Sequence, residues 1–383
     1  MKILLINHYA GSPNLGMEFR PYYVTKGWVK LGHEVLIVGG SYSHLRKVQP
    51  QSCEEMIDDV RYRWVKVNPY KGNGIGRIIS MFSFVTKLYC NYRRYLRNFK
   101  PDIVIASSTY PLDIYPAYRI ARHYHAKLIY EVHDLWPLSP MELGGYSKKH
   151  PFIRIMQKAE DDCYRYADAV VSMLPKAEEH MREHGLTRDK FHYVPNGIVL
   201  SDWNNPKGIP EEHGLLLSKL RAEGKFIVGF AGAHGIANSL YAVIDAVSSL
   251  TEQNVVLVLV GGGQEKENLI KYAHKKGVTN VYFLLPINKL AIPNLLKEMD
   301  VLYIGLQKQS LFRFGISPNK MFDYMMAAKP IIQAIDAGNN LVREADCGID
   351  VEPDNVSEIS KAILALKSMS EEERRKLGEN GKK

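Results

Sequence analysis

The sequence has little cysteine. Its four cysteines, Cys53, Cys90, Cys163 and Cys347, are scattered through 383 residues with no C-x-x-C pair. That excludes a disulfide framework or a cysteine-rich zinc module and reads as reduced thiols in core or surface positions. Long hydrophobic runs are also missing. The longest, 78–85 and 255–260, fall far short of the roughly 18 apolar residues a membrane-crossing helix requires. The opening Met1-Lys2-Ile3-Leu4-Leu5-Ile6-Asn7-His8 is too short for the apolar core of a signal peptide and has no small-residue cleavage site, so it reads as a first strand. A cytosolic protein is the expectation. Acidic residues are absent from 61–100, a stretch that holds ten basic ones.

That local gap dominates the charge balance. The chain carries a net charge of +9, and all of it lies in the first half: residues 1–200 hold 28 Lys and Arg against 19 Asp and Glu, while 201–383 hold 22 against 22. A basic half beside a neutral one points to an anionic partner for the first half, whether nucleic acid, membrane surface or phosphorylated substrate. With 46% hydrophobic and 24% charged residues, the composition is that of a folded globular protein of two or three domains.

Short β-branched runs, each followed by a turn and a helical pattern, predict parallel sheets built from βαβ units. In the first half they fall near 2–7, 34–38, 102–106, 127–132, 169–172 and 192–194. In the second they fall near 226–230, 255–260, 281–284, 301–304 and 330–333. Two such series predict two doubly wound domains, 1–203 and 204–366, joined through the turn-rich stretch 195–208, with a charged helical tail over 367–383.

Open parallel sheets bind ligands beyond the carboxyl ends of their strands. After the first strand, Gly11 and Gly16 have G-x-x-x-x-G spacing, but Met17-Glu18 follows where a P-loop needs Lys and Ser or Thr. The second strand ends in Val38-Gly39-Gly40 with no acid for a ribose, so a nicotinamide-dinucleotide fingerprint is absent as well. What remains is a loop whose backbone can approach a phosphate or sugar, with Asn14 in it and Arg20 one turn into the following helix; a plain tight turn is the alternative. After the fourth strand, His133-Asp134 places an imidazole beside a carboxylate that could fix its tautomer. His123/His125 and His180/His184 have metal-ligand spacing, but neither pair has a nearby cysteine or third histidine, and both read as surface residues.

In the second half, Gly229-Phe230-Ala231-Gly232-Ala233-His234-Gly235 and Gly261-Gly262-Gly263 end two successive strands, where helix N-termini could hold a diphosphate. The stretch 315–330 reads as a helix with Ser317 at the N-cap and Pro318 at the first helical position. Lys320 and Asp323, three apart, share a face. A cation for phosphate and a carboxylate for ribose hydroxyls suit a nucleoside-diphosphate sugar.

On these residues, together with Lys30-Leu31-Gly32-His33-Glu34-Val35 and Val194-Pro195-Asn196-Gly197-Ile198, the chain resembles the family 4 glycosyltransferases. The likeness is greatest to the bacterial polysaccharide and O-antigen subgroup with a Ser-Pro-Asn-Lys motif. The resemblance implies the GT-B fold, two Rossmann-like α/β domains facing across a cleft, with acceptor held by the first and nucleotide sugar by the second. It implies a tail helix packing back toward the first domain. The implied reaction is a retaining, metal-independent transfer of a sugar, an N-acetylated hexosamine or deoxyhexosamine, from a UDP-sugar to a polyprenyl-diphosphate-linked saccharide.

Carried over by position, His133 touches the donor sugar and Lys320, with Arg313 as a further cation, neutralises the diphosphate. Gly16, Gly235 and Gly263 let donor and backbone meet. Ile287, in Leu285-Pro286-Ile287, lies by the base, and Ser317, Asn319 and Asp323 complete the donor set; Asn14 and Arg20 belong to acceptor or phosphate. Asp323 matches the second acid of the family's E-x7-E element, and the first would fall at Gly315, so that carboxylate is missing. No D-x-D triplet of the metal-dependent GT-A kind occurs, and no cofactor is implied.

On a helical wheel set at Lys87, Lys100, Arg93, Arg97 and Arg94 fall at roughly 220–340°, and Tyr95, Leu88, Phe99, Tyr92, Val85, Leu96 and Tyr89 at roughly 80–200°. Such a helix either packs its apolar side on the sheet or lies against an anionic membrane. The second reading places the protein peripherally at the inner face of the cell membrane, beside its lipid-linked acceptor. Two alternatives stay open: a nucleotide-sugar epimerase of the same fold, and a basic membrane- or nucleic-acid-binding protein without catalysis, although no nucleic-acid recognition motif is present.

Overall fold

Aliphatic runs without polar alternation form strands that are covered on both faces. In the computed structural model, which describes residues 1–72 and 74–383, these strands build two units, Met1–Pro195 and Asn196–Lys383. The first contains β1 (Lys2–Ile6), β2 (Glu34–Gly40), β3 (Glu54–Ile57), β4 (Val60–Val65), β5 (Ile103–Ala106), β6 (Lys127–Val132), β7 (Ala169–Ser172) and β8 (Phe191–Tyr193). They form one sheet in the order β3-β4-β2-β1-β5-β6-β7-β8. All pairings are parallel except the β3–β4 hairpin. Its turn residues, Asp58 and Asp59, both take positive φ, as a two-residue hairpin turn requires.

The second unit contains β9 (Phe226–Ala231), β10 (Val255–Val260), β11 (Val281–Leu284), β12 (Val301–Gly305), β13 (Ile331–Ala334) and β14 (Gly348–Val351), all parallel in the order β11-β10-β9-β12-β13-β14. Every residue of β10 is buried. Its alternate side chains enter two cores: Leu257 and Leu259 join Val228, Phe230 and Tyr303, while Val256 and Val258 join Ile227, Leu302, Met321 and Tyr324. Each such side chain stabilises the fold by about 1.5–3 kcal/mol relative to exposure.

In each sheet the strand order reverses once, between β1 and β5 and between β9 and β12. Loops leaving neighbouring strands diverge there, opening a crevice at the carboxyl ends. The glycine-bearing loop after β1 and the loop after β9 both lie at these reversals.

Three strands escape the sequence pattern. β3 and β4 are an edge hairpin with interleaved charges, and β14 is a short, half-buried edge strand. The units divide after Pro195 rather than after 203. Asn196 belongs to the second because its N–H donates to Ser317 Oγ at 2.8 Å and its side-chain amide to Ser317 O at 2.7 Å.

The tail forms a helix, Glu371–Lys382, with a capping box between Ser370 and Glu373. It packs on the helix Asn319–Met326 of its own unit. Gly378 permits that approach, because a Cβ there would collide with the Ala328 carbonyl. The basic helix spans Ile75–Tyr95, with non-helical dihedrals at Asn91, and stops five residues before the wheel's last position. Its Met81, Phe84, Val85, Leu88 and Tyr92 are buried within the unit. No helix of the described residues is long and apolar enough to cross a membrane.

Candidate active site

In the first unit, β6 delivers Glu131 and then, one residue past its end, His133. Alternation along an extended strand puts positions 131 and 133 on one face and sends Asp134 elsewhere. The carboxylate that meets the imidazole is therefore Glu131, not the sequence neighbour Asp134. His133 Nε2 lies 3.4 Å from Glu131 Oε2, and both side chains are more than 90% buried. Ser107, just past β5, donates from Oγ to Glu131 Oε2 at 2.6 Å and sits 3.0 Å from His133 Nε2. Arg20 Nε donates to Glu131 Oε1 at 2.9 Å, while its terminal nitrogens donate to the carbonyls of Pro195 and Val194, each at 2.9 Å.

Burial alone would raise the Glu131 carboxyl, but the hydrogen bond and charge of His133, followed by Arg20 and Ser107, outweigh it and hold the carboxyl at about 2. Burial likewise opposes the imidazolium, yet Glu131 raises His133 above its ordinary value. Each partner thus favours the charged form of the other. Arg20, expected to meet acceptor or phosphate, is a buried clamp on Glu131 and on the chain leaving β8.

The glycine-bearing loop closes on itself: Ser12 N–H donates to Gly16 O at 3.1 Å and Gly16 N–H to Ser12 O at 2.8 Å. Gly16 has φ +111° and is buried against the backbone of Arg46 and Lys47, whereas Asn14 is exposed. Behind the loop, the His8 ring stacks between Tyr9 and Phe84, and its Nδ1 lies 2.7 Å from Tyr110 Oη. Burial, reinforced by Arg46 and Arg77, lowers His8 to about 3, so it is neutral.

In the second unit, the loops after β9 and β10 are knitted together. His234 N–H donates to Gly262 O at 2.8 Å, and Glu265 N–H donates to His234 O at 3.0 Å. A Cβ at Gly261 would collide with the Gly232 carbonyl, and one at Gly263 with the His234 carbonyl. The Gly261-Gly262-Gly263 run thus lets two strand-end loops touch. Gly235 opens the turn Ile236–Asn238 that leads to the helix Leu240–Ser248.

Cations gather over these loops. Lys320, on Asn319–Met326, donates to Asn238 Oδ1 and lies 4.4 Å from the Phe230 ring centre. Lys266 donates to the carbonyls of Gly261 at 2.9 Å and Leu284 at 2.6 Å. Burial lowers Lys320 to about 8 and also lowers Lys266. Between them His234 is fully buried, and neither ring nitrogen has a hydrogen-bond partner. Burial first, then Lys266 and Lys320, lower it to about 4. Among the described residues no carboxylate forms an ion pair with Lys266 or Lys320.

The remaining donor-side residues surround this cluster. Asp323 is buried one turn below Lys320 and pairs with Lys289. Ser317, expected as N-cap, accepts from Asn196 instead, and the helix starts at Asn319, with Pro318, expected at the first helical position, at the N-cap position without a side-chain cap. Asn319 is exposed, Ile287 is half-buried, and the Leu285 carbonyl lies 2.9 Å from His213 Nε2. Arg313 donates to Ser310 O at 2.6 Å and is exposed. Gly315, where the first acid of the family motif would fall, sits at φ +98°, a backbone conformation suited to glycine.

Sequence reading missed Glu131, Ser107, Lys266, Lys289, Asn238 and His234 as parts of these sites. Only topology gathers them, although a Glu two before His133 on a strand was an available signal.

Comparison with known proteins agrees with this architecture. Residues 16–197 match the glycosyl transferase 4-like domain and residues 217–383 match glycosyl transferases group 1. The chain belongs to the family 4 glycosyltransferases, with their two parallel-sheet α/β domains. It is 24% identical over 215 residues to TuaH of Bacillus subtilis (strain 168), named for a glycosyltransferase role in teichuronic acid biosynthesis. That match covers 54% of this chain and 50% of the relative, so the chain spans about half the length of the relative it matches. Among solved structures, Anabaena HepE in complex with UDP-glucose superposes with a TM-score of 0.67 at 17% identity, covering 100% of this chain and 93% of that one. Sucrose-phosphate synthase from Thermosynechococcus elongatus gives 0.74 at 15%, with coverages of 100% and 93%. Both show the shared fold.

Proposed function

We propose that the protein transfers a sugar from a UDP-sugar, bound at the strand ends of the second unit, to a lipid-linked saccharide acceptor in cell-surface polysaccharide synthesis. The observation that carries this reading is the pair of lysines, Lys266 and Lys320, gathered over the β9 and β10 loops without a carboxylate ion pair among the described residues. Burial disfavours their charge, and a diphosphate would restore it. Asp323 then stands one helical turn away for the ribose, as the family resemblance implies, with Lys289 exchanging partners. The UDP-glucose held by HepE supports a UDP donor, and the teichuronic acid role for which TuaH is named supports the polysaccharide context.

In the reaction the bond between the sugar's anomeric carbon and the diphosphate oxygen breaks, and the acceptor oxygen bonds to that carbon from the same face. The acceptor's proton passes to the departing diphosphate. Lys320 stabilises the charge that builds on the leaving group, and the family resemblance implies a catalytic role for His133, which Glu131 holds in place. The step is retaining and needs no metal.

Lys320→Ala is expected to lower transfer by about 10²–10³ while leaving thermal stability unchanged in a sugar-transfer assay. Near-normal turnover, or donor epimerised without acceptor, contradicts the proposal.

The acceptor reading extends to an anionic membrane. Along Ile75–Tyr95 the exposed Ile75, Ile79, Phe82 and Tyr89 fall on one stripe, and Arg93, Arg94, Arg97 and Lys100 stand exposed at its end. An apolar stripe beside basic residues suits the headgroup boundary of anionic lipid, at about 1 kcal/mol per basic residue. Exposed Cys53 and Cys90 are free thiols, which suits the reducing, cytoplasmic side. Sedimentation with anionic vesicles at low salt is expected, with loss in Phe82→Asp; equal binding by that variant contradicts it.

A further inference from the structure

In sequence, His180 and His184 form a histidine pair without a third ligand, because Glu160 lies 20 residues before His180. His180 lies on the short helix Glu178–Glu183 and His184 caps it. One turn apart, they point the same way, with ring centres 4.8 Å apart. The helix Pro151–Tyr166 runs beside them and presents Glu160 and Asp161.

Glu160 Oε1 lies 3.4 Å from His180 Nε2, and the side chains of Glu160 and His180 are 1% and 12% exposed. One ligand atom each from Glu160, His180 and His184 fit within 4.8 Å of one another. Ligands at about 2.0–2.1 Å from a tetrahedral zinc ion stand roughly 3.3 Å apart, so the Glu160–His180 spacing matches one edge of such a polyhedron, and a small movement of His184 completes a face.

The surroundings resemble the outer shell of a metal centre. Tyr164 Oη donates to Glu160 Oε1 at 2.9 Å and Gln157 Nε2 to Glu160 Oε2 at 2.8 Å. Asp161 Oδ1 lies 3.0 Å from His184 Nδ1, where it accepts the Nδ1 proton and leaves Nε2 as the ligand atom, and Gln157 Nε2 donates to Asp161 Oδ1 at 2.9 Å. Carboxylate and amide partners of this kind orient a ligating imidazole. A solvent-open depression lined by Asp161, Arg165, Glu183, His184 and Lys190 adjoins the cluster and supplies an entry path. Its Arg165 and Lys190 are balanced by Asp161 and Glu183, so the depression presents no net repulsion to an entering cation.

We propose that Glu160, His180 and His184 form a binding site for a divalent transition-metal ion of the zinc class, separate from the sugar-transfer site and independent of that reading. Two imidazoles and a carboxylate select such an ion over magnesium or calcium. Water fills the fourth position. The ion staples the helix Glu178–Glu183 to the helix Pro151–Tyr166, so it acts on the stability of the first unit rather than on the transfer chemistry.

The test uses the untagged full chain, stripped with chelator and titrated calorimetrically with Zn²⁺ alone. One equivalent is expected to bind and to raise the melting temperature, and the double variant His180→Ala/His184→Ala is expected to bind at least about 100-fold more weakly. Glu160→Gln gives a second variant that keeps both imidazoles and still weakens binding. X-ray absorption at the zinc edge of the loaded wild-type protein is expected to show nitrogen and oxygen neighbours at about 2.0–2.1 Å with two imidazoles. Absence of stoichiometric uptake by the wild type, uptake unchanged in both variants, or a shell without histidine overturns the proposal.

Discussion

At the carboxyl end of the first sheet, Arg20, Glu131, Ser107 and His133 answer one another's charges inside the protein. At the carboxyl end of the second, Lys266 and Lys320 face carbonyls, an asparagine, an aromatic ring and a neutral histidine. The first cluster holds a buried carboxylate that pairs with both Arg20 and His133, whereas among the described residues no carboxylate forms an ion pair with the lysines of the second. The first has the character of a scaffold that fixes a histidine, and the second that of a site awaiting an anion. The whole-chain charge suggests the reverse, since the excess of +9 lies entirely in the first half. On the proposed function, local pairing rather than net charge decides which half meets the diphosphate.

This contrast can be broken by removing charge from each side. Glu131→Gln leaves the buried Arg20 guanidinium without its carboxylate, and the expected loss is about 3–5 kcal/mol of unfolding free energy in denaturant titrations. Lys320→Met removes a partly buried cation that has no ion-pair partner among the described residues, so its stability is expected within about 1 kcal/mol of wild type, or above it. Equal losses in the two variants would mean that both clusters are structural.

A smaller effect sharpens the comparison through pH. His133 is raised above its ordinary 6.5, so its pairing contributes stability that is fully present below about pH 6.5 and is lost as pH rises through the folded value. Glu131, lowered from 4.5 to about 2, acts at the other end: its contribution is present above about pH 4.5 and is lost as pH falls toward 2. Urea unfolding between about pH 6 and 9 is expected to show a decline in the wild type that flattens in His133→Gln. A variant that kept the full slope would move the titration to another group.

How much of this was legible depends on which interactions are local. The continuous run of β10 and the opening strand predict buried parallel strands directly, and the Pro318-to-Asp323 segment predicts a helix with Lys320 and Asp323 on one face. The edge hairpin β3–β4 was hidden because charges interrupt its alternation. Ser317 was misplaced as a cap because its hydroxyl is engaged by Asn196, 121 residues earlier in sequence. The glycine run 261–263, read as room for a ligand, makes room first for the neighbouring loop. Lys266 and His234 gave no signal, since a surface-type lysine and a lone histidine acquire meaning only when β9 and β10 pair.

The most direct test of the central claim is calorimetric titration of UDP into the wild-type protein and Lys320→Met. Binding by the wild type, weakened at least about tenfold in the variant with the fold intact, is the expected result. Absence of UDP binding by the wild type, or equal affinity in both proteins, would contradict the assignment of the second sheet's carboxyl end as the diphosphate site.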